Sequence, residues 1–420
     1  MPVNVRRGSA MNERTSTTVG RRVELEVESV AHGGHCVARW DGRVVFVRHT
    51  LPGERVVAEI TADGGGSFCR ADAVRVLRAA AQRVEPSCPV SGPGGCGGCD
   101  WQHVSPQGQR ELKSEVLREQ FHRLAGIDLS VPVEELPGGP LRWRTRMELA
   151  TDDSGRAGLR AHRSHRVVPL DDCPIAAEGV LRNVLDRSWD PGDQLQAVLD
   201  GVGQQHLSVT PAEPRKGRSG LVRGGTATEY AADRSWQLDA AGFWQVHSQL
   251  ADTLARLVDD WAAVPRGGRA WDLYAGVGLF AGVLAARVGA RGRVLAVESD
   301  QRAVVDGRRN LADSPQVRWK CGEVRTSLRA ARRRDGSPQP VDVVVLDPPR
   351  KGAGRQVVGV IAAARPSRVV YVSCDPAALA RDVATFEAAG YRLTRLRAFD
   401  AFPMTQHLEC VALLSAGTAA

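Results

Sequence analysis

Cys374 stands at the end of an apolar run, Arg368–Ser373, directly before Asp375-Pro376 and a stretch with helical character. A thiol at the rim of a sheet and near a helix N-terminus is placed to ionise and act as a nucleophile. A single cysteine is more often a buried structural residue, so its neighbours must decide. Upstream, Asp272-Leu-Tyr-Ala-Gly-Val-Gly-Leu-Phe280 reads as a strand, a Gly-x-Gly turn and the start of a helix. Gly276 and Gly278 let the backbone approach a ligand closely. Glu298 closes the next strand, roughly twenty residues on, where a carboxylate can grip ribose hydroxyls. The turn lacks the third glycine of a dinucleotide pyrophosphate site. S-adenosylmethionine carries no phosphate and needs none.

Three further groups could do chemistry. Asp347-Pro-Pro-Arg-Lys-Gly-Ala-Gly354 follows a fourth apolar strand, and its prolines fix an irregular loop at the carboxyl edge of a sheet, where ligands bind. Methyltransferases acting on exocyclic amines carry an aromatic residue after such prolines. Arg350 stands there instead and suits a polar or anionic target. Phe402-Pro-Met-Thr-Gln-His-Leu-Glu409 precedes a terminal strand, Cys410–Leu414, so Glu409 is either a general base or an edge charge, and His407 reads as structural. Cys88, Cys96 and Cys99 lie in a Gly-rich loop, and Cys173, in Asp-Asp-Cys-Pro, offers a fourth thiol. Four thiolates bind zinc or an iron–sulfur cluster, and spacing alone does not choose between them.

The rest of the chain must position these groups. Its 420 residues, 43% of them hydrophobic, suffice for two or three domains. Lys and Arg number 56 against 48 acidic residues, a net charge of +8 that suits a polyanionic partner. No apolar run reaches the roughly 18 residues of a membrane span, and no apolar segment follows the N-terminal arginines, so the expectation is a cytoplasmic protein without a secretory signal. Nine unevenly placed cysteines suit metal binding or catalysis better than a disulfide framework.

Residues 1–17 read as a disordered tail. Residues 18–80 carry five short alternating strands and an Asp41-Gly42 hairpin signal, which predicts a small OB-like barrel. Residues 81–240 hold the cysteine loop and an amphipathic helix, about Gln107 to Ala125. Its face is formed by Leu112, Val116, Phe121 and Leu124, and Arg110, Lys113, Arg118 and Arg123 are candidates for touching RNA. Pro211 to Gly225 is expected to be a mobile basic loop. Residues 241–420 alternate helix and strand, with strands expected at 270–274, 293–297, 316–320, 341–346 and 368–373. That pattern predicts a Rossmann-like doubly wound α/β domain.

Together the motifs Phe243-Trp-Gln-Val246, Asp272–Phe280, Asp347–Gly354, Ser373-Cys-Asp-Pro376 and His407-Leu-Glu409 resemble the RNA (uracil-5-)-methyltransferase family, in its form with an N-terminal TRAM domain and an iron–sulfur domain. The resemblance runs from about residue 18 to 415. It implies a class I, S-adenosylmethionine-dependent enzyme in which Cys374 is the nucleophile and Glu409 the base. It implies that Gln245, Tyr274, Gly276, Gly278, Glu298 and Asp347 bind S-adenosylmethionine. It implies that Cys88, Cys96, Cys99 and Cys173 hold a 4Fe-4S cluster, with zinc as the alternative. Leu279 and His247 depart from the family pattern, each standing where Asn is common, and the Cys88–Cys96 stretch is longer than usual. The TRAM domain and the cysteines favour a ribosomal-RNA substrate, 23S RNA, with no membrane and no obligate protein partner. Transfer RNA is the alternative substrate. A cytosine-5 methyltransferase and a non-catalytic RNA-binding iron–sulfur protein on the same fold are the rival readings.

Overall fold

The computed structural model describes residues 18–212, 220–223, 225–330 and 340–417. The expected tail 1–17 lies outside the described residues, as does most of the expected loop between Pro211 and Gly225. The chain divides into two compact units, the first ending at Val84 and the second running from Glu85 onward.

The first unit is a closed barrel of β1 (Arg22–Val30), β2 (Cys36–Trp40), β3 (Arg43–Arg48), β4 (Arg55–Asp63) and β5 (Phe68–Arg78), in the order β1-β2-β3-β5-β4. Strict alternation puts Val23, Leu25 and Val27 inside, and Asp41 and Gly42, both at positive φ, make the tight β2–β3 turn. The carboxylate of fully buried Glu54 accepts from the Leu51 and Ala80 N–H groups and from Arg83 at 2.5 and 2.7 Å.

The second unit opens with the cysteine loop and α1 (Pro106–Ala125), then β6 (Val133–Glu135). Ser105 caps α1 by accepting from the Gly108 N–H, and left-handed Gly126 ends it. A six-stranded antiparallel sheet follows, β7 (Arg146–Thr151), β8 (Ala157–Arg160), β9 (Val167–Pro169), β10 (Gln194–Leu199), β11 (Gln205–Thr210) and β12 (Gly220–Arg223), in the order β12-β11-β10-β7-β8-β9. The hairpin β13 (Thr226–Ala231) and β14 (Arg234–Asp239) leads to α2 (Leu250–Ala262).

From there strand and helix alternate: β15 (Arg269–Leu273), α3 (Leu279–Val288), β16 (Arg293–Glu298), α4 (Gln301–Asn310), β17 (Val317–Cys321), α5 (Val324–Ala330), β18 (Val343–Leu346), α6 (Gly354–Ala363), β19 (Arg368–Ser373), α7 (Pro376–Ala388), β20 (Tyr391–Asp400) and β21 (Glu409–Ala416). The sheet order is β17-β16-β15-β18-β19-β21-β20-β6. The five strands from β17 to β19 run parallel, and β21 inserts antiparallel between β19 and β20. Helices on the two faces bury two separate cores, one around Trp236, Leu254 and Leu284 and the other around Phe121, Tyr371 and Phe386. Strand order reverses between β15 and β18, the position at which open α/β sheets bind ligands outside their carboxyl ends.

Two features differ from the sequence expectation. The edge strand β6 comes from ahead of the six-stranded sheet in the chain yet pairs with β20. Lys113 does not reach RNA. It is fully buried, and its Nζ donates to Asp400 Oδ1 at 2.6 Å and to the Phe402 carbonyl at 3.1 Å. A stripe of apolar residues marks which side of α1 is buried but cannot reveal that a carboxylate waits beneath a lysine on that side. Removing one partner of such a pair costs about 3–5 kcal/mol.

Candidate active site

The cofactor turn is built on strained backbone. Tyr274 sits at φ 64, Gly276 at φ 53 and Gly278 at φ 95. The two glycines serve different needs. A Cβ on Gly278 would lie 2.9 Å from the Trp319 ring, whereas one on Gly276 would meet nothing within 4 Å. Gly276 therefore answers to its dihedral, and the space before it is open to a ligand. Glu298, ending β16, accepts from the Gly276 N–H at 2.9 Å and from the Ser299 and Asp300 N–H groups, which ties two strand ends together. Beneath the turn Asp272 is fully buried, the Ala281 N–H is turned toward its carboxyl group, and burial pushes its pKa up to about 8. Sequence reading placed Asp272 in the motif without a role. A buried acid under an open glycine turn fits a cofactor that brings hydroxyl or amine donors.

Asp347, Cys374 and Glu409 meet at one edge. In the β19–β21 ladder Ser373 faces Cys410, so the next step in antiparallel register sets Cys374 beside Glu409. Residues opposite each other in such a ladder have Cβ atoms roughly 5 Å apart. Asp347 leaves β18, the strand on the other side of β19. Burial pushes the Cys374 thiol up to about 12, and the charges of Glu409 and Asp347 push the same way, while Arg350 opposes them. Burial raises Asp347 to about 7, and burial together with Asp347 raises buried Glu409 well above the carboxylate range. The helix N-terminus does not make this thiol acidic at rest. Asp375 occupies the cap and accepts from the Ala378 N–H, and burial and two carboxyls outweigh what remains of the dipole.

The Asp347–Gly354 loop is braced from behind. The Asp382 carboxylate accepts from the N–H groups of Ala353, at 2.7 Å, and Gly354 and from the Tyr371 hydroxyl at 2.7 Å. A Cβ on Gly352 would lie 2.7 Å from Asp382 Oδ2, so the loop needs glycine to come this close. At the loop's outer end exposed Arg350 lies 3.4 Å from His407 Nε2, and burial, with Arg350, pulls the His407 pKa down to about 4.

Gln245 lies half-buried between β14 and α2, where the Thr145 N–H and hydroxyl hold the Val246 carbonyl at 2.9 and 3.0 Å. Of the aromatic residues near this segment, Phe243 is 70% exposed, whereas Trp244 is buried against Trp236. Trp143 stacks on His247 at 5.8 Å and meets Phe402 edge-on at 6.2 Å, a chain of rings from the central sheet to the loop before Glu409. Burial lowers His247 to about 4 and keeps it neutral.

Cys88, Cys96, Cys99 and Cys173 line one cavity of about 120 Å³. Burial pushes Cys96 up to about 11 and Cys99 to about 12, and Cys173 is raised as well. The Gly98 N–H donates to Cys96 Sγ at 3.3 Å and Gln102 Nε2 to Cys99 Sγ at 3.4 Å, bonds that favour thiolates. Among the described residues no three His, Cys, Asp or Glu side chains converge closely enough to hold a single metal ion. The other cysteines stand apart from this set: Cys36, Cys69 and Cys410 are buried in cores, and Cys321 is exposed.

Residues 242–417 match the tRNA (uracil-5-)-methyltransferase family and residues 16–69 the TRAM domain. An uncharacterised RNA methyltransferase of Streptomyces coelicolor is 47% identical, over 94% of this chain and 93% of its own. One from Bifidobacterium longum is 38% identical over 94% and 97%. The crystal structure of Pyrococcus abyssi tRNA (uracil-54, C5)-methyltransferase in complex with S-adenosyl-L-homocysteine superposes with a TM-score of 0.68 at 22% identity, over 93% of this chain and 99% of that one, and so shares the fold. Among the described residues no helix is long and apolar enough to cross a membrane. With a catalytic-domain match, a TRAM match and relatives matched along nearly their whole length, this chain belongs to the S-adenosylmethionine-dependent RNA (uracil-5-)-methyltransferase family.

Proposed function

We propose that this protein methylates carbon 5 of a uridine in 23S ribosomal RNA through a covalent bond between Cys374 and the base. The observation that carries this reading is the register that sets Cys374 beside Glu409 at the carboxyl edge of the sheet. Carbon 5 of uracil is too weak a nucleophile to attack a methyl group unaided. The Cys374 sulfur adds to carbon 6, and the ring's electrons move toward O4, making carbon 5 nucleophilic. S-adenosylmethionine supplies the methyl group as an electrophile on sulfur. Glu409 then takes the proton from carbon 5, the electron pair re-forms the double bond, and the Cys374–carbon 6 bond breaks.

Electrostatics sets the order of events. Burial favours the protonated forms of Cys374, Asp347 and Glu409. A positively charged group held at Asp347 would favour the thiolate and both carboxylates, so Asp347 would couple cofactor binding to the protonation of Cys374 and Glu409. Gln245, Tyr274, Gly276, Gly278 and Glu298 form the rest of the cofactor site, and Gln245 makes no hydrogen bond among the described residues, leaving its amide available.

RNA binding draws on the barrel. Phe46 and Phe68 meet edge-on at 5.6 Å, and the Arg70 guanidinium lies over the Phe68 ring at 5.1 Å, a surface on which unpaired bases can stack. The four cysteines are read as holding a 4Fe-4S cluster, with zinc the alternative, and what supports a shared group is that all four line one cavity. Anaerobically purified protein should be brown and carry about four irons; colourless protein with one zinc would reverse this choice. Transfer RNA remains the second substrate reading, because a tRNA enzyme shares the fold along its whole length. Mapping 5-methyluridine in ribosomal and transfer RNA of a deletion strain separates the two. Loss of the base from tRNA alone would overturn the ribosomal assignment.

A further inference from the structure

Glu409 is the first residue of β21, and its placement depends on the loop 401–408 that joins it to β20. That loop is held by a part of the chain some three hundred residues earlier. The Met404 carbonyl accepts from the N–H groups of both Asp100 and Trp101 at 3.0 Å, and the Gln406 N–H donates to Asp100 Oδ2 at 3.2 Å. Asp100 directly follows Cys99. Beneath them Gln109, on the buried face of α1 and fully inaccessible, uses both ends of its amide. Its Oε1 accepts from the Met404 N–H at 2.7 Å, and its Nε2 donates to the Val104 and Trp101 carbonyls at 2.8 and 3.2 Å. One turn along α1, Lys113 fixes Asp400 and the Phe402 carbonyl. Met404 itself is left-handed, at φ 66. A residue with a Cβ adopts that conformation only where its surroundings over-determine it. The Met404 side chain also packs in the core that contains Trp143 and Cys173, with Cys99 against its edge.

We infer that Gln109 is a positioning residue for Glu409, joining the turn after Cys99 to the loop that aims the base, so that the thiol cavity and the catalytic edge form one mechanical unit. The inference rests on the reading of Glu409 as the base. Gln109 is fully buried and acts through Met404 and through the Trp101–Val104 turn that also holds Met404. Its removal therefore lets Glu409 drift while leaving Cys374, directly after β19, and the glycine turn after β15 in place. A drift on the order of an ångström slows the step it serves by up to about a hundredfold. The step it serves is proton removal, so the covalent RNA adduct should persist.

The test uses the full-length, metal-loaded protein with labelled S-adenosylmethionine and a uridine-containing RNA. Gln109→Met preserves size and burial and removes both hydrogen-bonding ends. The expected result is a kcat lower by about ten- to a hundredfold, unchanged cofactor affinity and metal content, and a methyl-labelled protein–RNA adduct that survives denaturing electrophoresis. A general loss of structure would lower cofactor binding and adduct together. Asp100→Asn, which weakens the Gln406 contact and removes a charge that favours protonated Lys113, should give the same adduct with a smaller loss, and it serves if Gln109→Met does not fold. Amide exchange on the unmodified protein supplies a readout without turnover: removing the metal should speed exchange at Met404 and Gln406 while β19 stays protected. Adduct accumulation in Glu409→Gln but in neither Gln109→Met nor Asp100→Asn would overturn the inference and spare the base. No adduct in Glu409→Gln would overturn the base assignment itself. Unchanged exchange on metal removal would overturn the link to the thiol cavity.

Discussion

Cys374 and Cys99 are both partly buried thiols pushed up to about 12, yet they stand on different kinds of backbone. Cys374 directly follows a central parallel strand, and its neighbours Asp347 and Glu409 also sit at strand ends, so the spacing of the sheet brings the three together, with the loop before Glu409 adjusting the last of them. Cys99 shares its glycine-rich loop with Cys88 and Cys96, and Cys173 comes to them from a second loop. Glycine makes that loop possible, because a Cβ on Gly97 would lie 2.6 Å from the His162 nitrogen. The charges differ as well. At the catalytic edge two carboxyls face the thiol and Arg350 opposes them, whereas in the cavity the thiols chiefly face one another. In the function proposed above, the first arrangement would hold a nucleophile protonated until a positive charge binds beside it, and the second would offer several sulfurs to one metal group. Rigid strand ends suit bond making at one carbon, and loops suit closure around a group that itself becomes part of the structure.

The comparison is broken most directly at the two cysteines. Cys374→Ala should reduce turnover at least about 10⁴-fold while cofactor affinity stays unchanged, measured by single-turnover methyl transfer and calorimetry. Cys99→Ser should lose metal and thermal stability first, with residual methyl transfer still detectable. Equal, complete loss of chemistry in both, with metal retained in the second, would erase the distinction.

Glu409→Gln comes next, with a fall of roughly 10²- to 10⁴-fold in turnover and a methyl-labelled adduct that the double variant with Cys374→Ala does not form. Parent-rate turnover would move the base elsewhere, with His407 or Asp375 the next to test.

The charge argument is sharpened by pH. A thiol raised to about 12 is ionised in proportion to hydroxide throughout the neutral range. Without cofactor, alkylation of Cys374 should therefore climb about tenfold per pH unit from 6 to 9, followed by peptide mass spectrometry with exposed Cys321 as the internal reference. A plateau below pH 8 would show that the resting site already holds a thiolate.

The smallest effect concerns the barrel. Phe68→Ala should weaken single-stranded RNA binding by about 1–3 kcal/mol without changing the salt dependence, because stacking releases no counterions. A changed salt slope would mean the ring serves phosphate contacts instead.

Much of the architecture was legible. Alternation in Val23–Val30 and the Asp41-Gly42 turn announced a barrel strand and hairpin, and the apolar runs at 293–297 and 368–373 lie within β16 and β19. The long strand β20 escaped notice because Tyr391–Asp400 carries three arginines and a bulge, which break the pattern of a buried strand. Lys113 was misread for a related reason. Periodicity reports which side of a helix faces inward, and a lysine on that side is assumed to snorkel unless its buried partner is known. Asp272, Gln109 and Asp382 gave no signal of their own, since their importance lies in their tertiary surroundings.

By itself the sequence determined the local chemistry of this protein: a glycine turn that only small residues can make, prolines that stiffen the loop after Asp347, thiols close enough along the chain to share a cavity, and an excess of positive charge. These depend on residue type and near neighbours, which a sequence displays directly. Only the tertiary structure decided that β21 would enter the sheet antiparallel between β19 and β20, setting Glu409 beside Cys374, and that the turn after Cys99 would grip the loop leading to that glutamate. It also decided that burial and two carboxyls, rather than a helix dipole, would govern the thiol's proton. Such outcomes depend on which distant segments become neighbours and on how much water they exclude, and neither is written in the spacing of any one segment.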